Sequence, residues 1–144
     1  NRRISLPEAF LATDGVLRPL IPLTRFGLSG PLGDGQQYWP WVSLDDEVGG
    51  LLHALRTDVT GPVNLVGPTP ATADELMRAL ARRLRRPYWL PVPALAVRAA
   101  LGDAGDDLLL IDQRIAPRVL SSGGYGFRHR TVDDALATAL SATA

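Results

Sequence analysis

Cysteine and lysine are both missing from this 144-residue chain, and each absence removes a class of chemistry. Without cysteine there is no disulfide, no thiolate nucleophile and none of the usual structural zinc sites. Without lysine the chain has no Schiff base and no lysine-assisted tyrosine, and every one of its 15 cationic side chains is arginine. Net charge is missing too, because 15 acidic residues balance the arginines, which argues against a general polyanion binder. No apolar run approaches the roughly 20 residues that cross a bilayer, and no signal-peptide pattern opens the chain. A cytoplasmic protein without membrane contact is therefore expected. Methionine occurs once, at Met77, and the first residue is Asn1, which predicts a piece of a longer protein. What remains is 46% apolar residues in one domain's length, enough to bury a core.

Glycine and proline cut the chain into short apolar runs and longer helical patterns, the arrangement of an α/β or α+β domain. Arg3-Ile4-Ser5-Leu6 reads as a strand ended by Pro7. Helical spacing covers Gly15 to Leu28, and a glycine-rich loop follows from Ser29 to Gly35. Strand alternation through Gln36 to Leu44 puts Trp39, Trp41 and Ser43 on one face and Val42 and Leu44 on the other, with the aliphatic face directed inward. Asp45-Asp46-Glu47 then suit the first turn of a helix reaching Leu55. Val63-Asn64-Leu65-Val66 predicts a strand between two Gly-Pro pairs. Thr72-Ala73-Asp74-Glu75 forms a capping box that opens a helix with Leu76, Leu80 and Leu84 as its buried stripe, ended by Pro87. Tyr88-Trp89-Leu90 reads as extended, and helices are expected over Ala94 to Leu101, Asp107 to Ile115 and Thr131 to Leu140.

Several patterns suggest chemistry and each has a plainer reading. Gly27, Gly30 and Gly33 match the spacing of a dinucleotide-binding loop, but that loop needs a strand before it and a helix after it. Here a helix precedes and a loop continues, so an ordinary loop is expected. His53 and His129 have no metal-binding companions, and no metal is expected; His53 belongs on a helix flank and His129 near a strand end. Asp106-Asp107 and Asp133-Asp134 fit helix starts, where carboxylates oppose the positive end of the dipole. Arg78, Arg82, Arg83, Arg85 and Arg86 concentrate charge on one helix, which could dock a partner protein or a nucleic acid, although a solvated face is the default in a lysine-free chain. Trp39 and Trp41 either fill the core or, sharing a face with Ser43 beside a glycine-rich loop and two glutamines, wall a pocket.

Gly33-Asp34-Gly35-Gln36-Gln37-Tyr38-Trp39-Pro40-Trp41-Val42-Ser43-Leu44-Asp45-Asp46 resembles the segment of the NAD-dependent epimerase/dehydratase family written G-x-G-x-Q-x-x-x-W-I-H-x-D-D. Gly61-Pro62-Val63-Asn64, Arg86-Pro87, Pro91-Val92-Pro93, Gln113-Arg114 and Pro117-Arg118-Val119-Leu120 extend the resemblance in the same order. The collection is similar to the C-terminal half of nucleoside-diphosphate-sugar epimerase-like proteins, atypical extended short-chain dehydrogenases that end in a small domain of unknown function. Serine stands at position 43 where the family pattern has histidine, and none of Tyr38, Tyr88 and Tyr125 is followed four residues later by lysine.

The resemblance implies an α/β fold, α+β as a fragment, with a small mixed sheet flanked by helices and no complete Rossmann half. Residues 1–144 would be one substrate-binding domain, with 1–60 continuing the Rossmann-like half and 61–144 forming a small C-terminal subdomain. The implied function is the substrate-binding portion of an NAD(P)-dependent epimerase or oxidoreductase; the alternative is a non-catalytic interaction module using the arginine-rich helix. Trp39 and Trp41 would wall the substrate cleft, Gln37 would hydrogen-bond the ligand, Arg25 would pair with an anionic group, and Asp45 would cap the following helix. No catalytic residue is expected in this chain. NAD(P) would be bound mainly by the absent N-terminal half, the partners being that half and a small molecule such as a sugar nucleotide, with no nucleic acid and no membrane.

Overall fold

A computed structural model describes residues 2–5, 17–103, 105–106 and 112–142. Their elements run β1 (Arg2–Ser5), α1 (Leu17–Arg25), β2 (Tyr38–Trp39), α2 (Leu44–Arg56), β3 (Gly61–Asn64), β4 (Ala71–Thr72), α3 (Ala73–Arg83), α4 (Ala94–Leu101), α5 (Arg118–Ser122) and α6 (Val132–Ser141). The mixed pairing resolves into two separate ladders. β1 and β3 are parallel, with Ile4 opposite Val63, and β2 and β4 are antiparallel, with Trp39 opposite Ala71. A parallel pair cannot be joined by a tight turn, and here the crossover carries helix α2.

Two apolar clusters hold these pieces. One gathers Leu17 and Leu20 of α1, Leu76, Met77 and Leu80 of α3, Val97 of α4, Leu136 of α6, and both Trp39 and Trp41. The other joins Ala54 of α2, Val63 of β3, Leu65 and Leu120 of α5. Side-chain caps open α2, α3 and α6. In α3 the Thr72 hydroxyl accepts from the Glu75 amide while the Glu75 carboxylate accepts from the Thr72 amide, completing the capping box. Thr131 caps α6 with its hydroxyl alone, which accepts from the Asp134 amide.

Some expectations change. Ser43, not Asp45, caps α2: its hydroxyl accepts from the Asp46 amide, leaving Asp45 at the surface near Arg128. β3 ends at Asn64, two residues early: Leu65 leaves the ladder to join the second apolar cluster, and Val66 is buried beside the tryptophan recess. The Tyr88-Trp89-Leu90 segment is extended without being a strand; the amides of Trp89 and Leu90 both donate to the Ser29 carbonyl, and Leu32 bridges Val92. Residues 107–111 of the expected Asp107–Ile115 helix lie outside the described residues, and 112–115 are not helical. Helix α5, which the sequence reading did not anticipate, is a single short turn seated on Leu120.

Candidate functional site

Every residue from Trp39 to Ser43 is buried, so this segment has no outward face. The alternation rule presumes a half-exposed strand, whereas only Tyr38 and Trp39 enter a ladder and the following residues thread the interior. Consequently the indoles of Trp39 and Trp41 are each only 2% exposed, while Leu44, expected inside, lies at the surface. Trp41 Nε1 donates to the Thr69 carbonyl at 2.8 Å, and its carbonyl accepts from the Gly67 amide at 2.6 Å. A Cβ on Gly67 would lie 2.5 Å from the Trp41 ring, which explains the glycine.

A recess of only about 10 Å³, room for a single water at most, survives beside the indoles, lined by Tyr38, Trp39, Trp41, Gly67, Gln113 and Ile115 among others. Its position is informative. Val66 and Gly67 follow the carboxyl end of the parallel strand β3, and the crevice beyond such strand ends is where open α/β sheets bind ligands. Around it, Tyr38 is held by three contacts. Its amide donates to Asp112 Oδ1, its carbonyl accepts from the Gln113 amide, and the Arg114 guanidinium lies 5.2 Å from its ring centre.

The other two expected ligand-binding residues stand apart from that recess. Gln37 is buried, and its amide nitrogen donates to the Leu32 carbonyl at 3.3 Å, so it braces the glycine-rich loop. Arg25 ends α1 at the surface. The structure therefore groups Trp39 with Trp41 and places neither Gln37 nor Arg25 on the wall of their recess.

The glycine-rich loop does not fit a dinucleotide. Gly30 is required because a Cβ there would sit 1.8 Å from the Leu90 carbonyl oxygen, a packing constraint. The loop amides of Leu28, Gly33 and Gly35 are already donated to Leu23, Val92 and Leu32, so they form no phosphate cradle.

Composition alone gave no sign of a buried polar network centred on Asp46. Its carboxylate accepts from the main-chain amides of Arg128 and His129, both at 2.8 Å, and from the hydroxyls of Tyr125 and Ser43, both at 3.0 Å. His129 is a buried loop residue rather than a strand-end one, with Nδ1 2.8 Å from Ser43 Oγ and Nε2 2.9 Å from Thr138 Oγ1. Since the Ser43 hydrogen is given to Asp46, Nδ1–H donates to Ser43 and Nε2 accepts from Thr138, an assignment made from the network. Serine, histidine and aspartate meet here without forming a nucleophilic triad. The serine hydroxyl is turned to the carboxylate instead of the imidazole, and all three side chains are buried. Burial, and then the hydrogen bond to Asp46, push the Tyr125 phenol up to about 12. The readable signal was the Asp45-Asp46 pair, of which only the second turns inward.

The arginine-rich helix is partly spent inside the fold. Arg82 and Arg83 both pair with Asp133 at the start of α6, and these contacts hold the Asp133 carboxyl below its ordinary range. Arg78 pairs with Asp74 and lies over the Tyr88 ring. Burial opposes ionisation of Asp74, but the hydrogen bonds from Tyr88 and Arg78 outweigh it, and its carboxyl also titrates low. Arg85 and Arg86 fall beyond the helix end.

Comparison with known proteins places this geometry. Residues 92–139 match the domain of unknown function DUF1731. The chain is 45% identical over 126 residues to the epimerase family protein ML0860 of Mycobacterium leprae, covering 87% of this chain and 41% of that protein. It is 46% identical over 123 residues to Mb2239 of Mycobacterium bovis, which carries the same family name. The chain is related to the epimerase-family proteins. In structure it matches the human family protein SDR39U1, solved with NADPH, at a TM-score of 0.86 and 30% identity, covering 97% of this chain and 48% of that one. UDP-glucuronic acid 4-epimerase from Bacillus cereus, solved with NAD, shares the fold at a TM-score of 0.64 and 15% identity. The chain thus spans about two fifths of the length of the curated epimerase-family relatives it matches. Among the described residues no helix is long and apolar enough to cross a membrane.

Proposed function

We propose that the chain is the C-terminal, substrate-binding portion of an NAD(P)-dependent epimerase-family protein working in the cytoplasm, and that its N-terminal half is its principal partner. The observation that carries this reading is an unfinished side. Leu44, Val48, Leu52 and Leu55 run along α2 at helical spacing and are 42–57% exposed. Beside them β1 pairs with β3 alone among the described strands, so its second edge is open. Parallel sheets are stable when covered on both faces and extended by further strands, and an apolar helix stripe of this size marks an interface. The relatives' remaining length supplies an occupant.

In this reading the dinucleotide sits on the absent half, since the glycine loop here offers it no cradle. Hydride chemistry belongs to that cofactor. This chain's part is to hold the substrate beyond the end of β3, where Trp39 and Trp41 form the rigid back wall, Gln37 fixes the loop beside them and Arg25 offers a surface cation. The arginine helix has a lesser claim as a docking site, because three of its five arginines are already paired within the chain.

The test is calorimetry with NADPH on this chain alone and on the chain joined to its N-terminal half. Binding should appear only in the joined protein. Micromolar affinity for the isolated chain would refute the proposal.

A further inference from the structure

The tryptophan recess, at about 10 Å³, is far below the roughly 300–1,000 Å³ of ordinary small-molecule sites. A second cavity is not. Between α1, the 28–32 loop, the 90–93 segment and α4 lies a hollow of about 370 Å³, bounded by Leu20, Leu23, Met77, Leu90, Val97 and Leu101 among others. Every residue lining it is leucine, methionine, proline, valine or alanine. The main chain adds little polarity, because the amides of Leu90, Val92, Ala96 and Val97 donate to carbonyls of Ser29, Pro31 and Pro93. A diphosphate in such a wall would lose its hydration with no cation or free donor in return, at prohibitive cost.

A neutral apolar ligand has no such penalty, and its burial is favoured in proportion to area. Proline at 91 and 93 keeps one wall stiff, while Met77 can adapt to shape.

We propose that this cavity binds a neutral, apolar small molecule. The proposal rests on reading the chain as a substrate-binding portion, and it adds to the tryptophan wall a second, apolar site whose chemistry differs from that of the UDP-sugars named for its structural neighbours.

The test uses the full chain, with Nile red as a fluorescent apolar probe and decan-1-ol and UDP-glucose as competitors. Decan-1-ol should displace the dye and UDP-glucose should not. Ala96→Trp, at an exposed position on the wall, should weaken decan-1-ol binding by about tenfold or more with an unchanged circular dichroism spectrum. Displacement by UDP-glucose in place of decan-1-ol, or full decan-1-ol affinity in Ala96→Trp, would overturn the assignment. NADPH plays no part in this measurement. Absence of NADPH binding by the joined protein would defeat only the proposed function, and absence of decan-1-ol binding would defeat only the cavity.

Discussion

Helices α2 and α3 start alike and end differently. Both have a hydroxyl cap and acidic residues in the first turn, and both carry an apolar stripe. The stripe of α3 is covered by α1, α4 and α6, with Leu76 and Leu80 sealed. That of α2 faces two ways, toward Leu65 and Leu120 on one side and toward open solvent through Leu44, Val48, Leu52 and Leu55 on the other. An apolar residue at helical spacing therefore predicts burial only where the covering element is part of the same chain. The difference leaves the α3 side covered and the α2 side exposed, and it is on the second that the proposed N-terminal half would pack.

The comparison can be broken most forcefully on the complete side. Leu80→Ala removes a fully buried side chain between α1, α3 and α6, and should cost about 3–5 kcal/mol in urea unfolding. A loss below about 1 kcal/mol would show that the α3 side is not the core of the isolated chain.

Asp46 joins the two sides, tying the start of α2 to residues 125–129. Asp46→Ala leaves two buried main-chain donors without an acceptor and should cost about 3 kcal/mol. Asp45→Ala, at the surface, should be close to neutral in the same unfolding series. Equal effects from both would mean the network is not formed.

A smaller effect should appear at high pH. Because Tyr125 is raised from 10.0 to about 12 in the folded chain, its neutral form is the one folding favours. Its contribution is complete below pH 10 and is lost as pH climbs from there through about 12. Tyr125→Phe should flatten that alkaline decline while leaving the neutral-pH spectrum unchanged; an identical decline in the variant would assign the loss elsewhere.

The smallest effect lies on the bare side. Val48→Ser should change the isolated chain's stability by no more than about 0.5 kcal/mol. Substantial destabilisation would mean that α2 is already covered.

Local signals in the sequence were faithful where a few neighbouring residues decide the outcome. The Thr72–Glu75 capping box, the Ala94–Leu101 helix and the Arg3–Ser5 strand all depend on caps, spacing or proline within one or two turns. Tryptophan placement failed because it depends on what packs over residues 39–43 from distant parts of the chain, including Thr69 and Gly67. The Asp46 network was unreadable for the same reason, since its donors lie some 80 positions away. The aliphatic cavity was concealed further, because its leucines, valines and prolines are the residues that usually fill a core, and only their arrangement leaves a hollow.

The central claim is that the α2 and β1 side is completed by the N-terminal half of the same protein. Sedimentation of this chain mixed with a separately produced N-terminal half tests it most directly, alongside a Val48→Glu, Leu52→Glu variant. The account predicts a one-to-one complex with the natural chain and free components with the variant, whose circular dichroism should be unchanged. A natural chain that sediments alone, or a variant that still forms the complex, would contradict it.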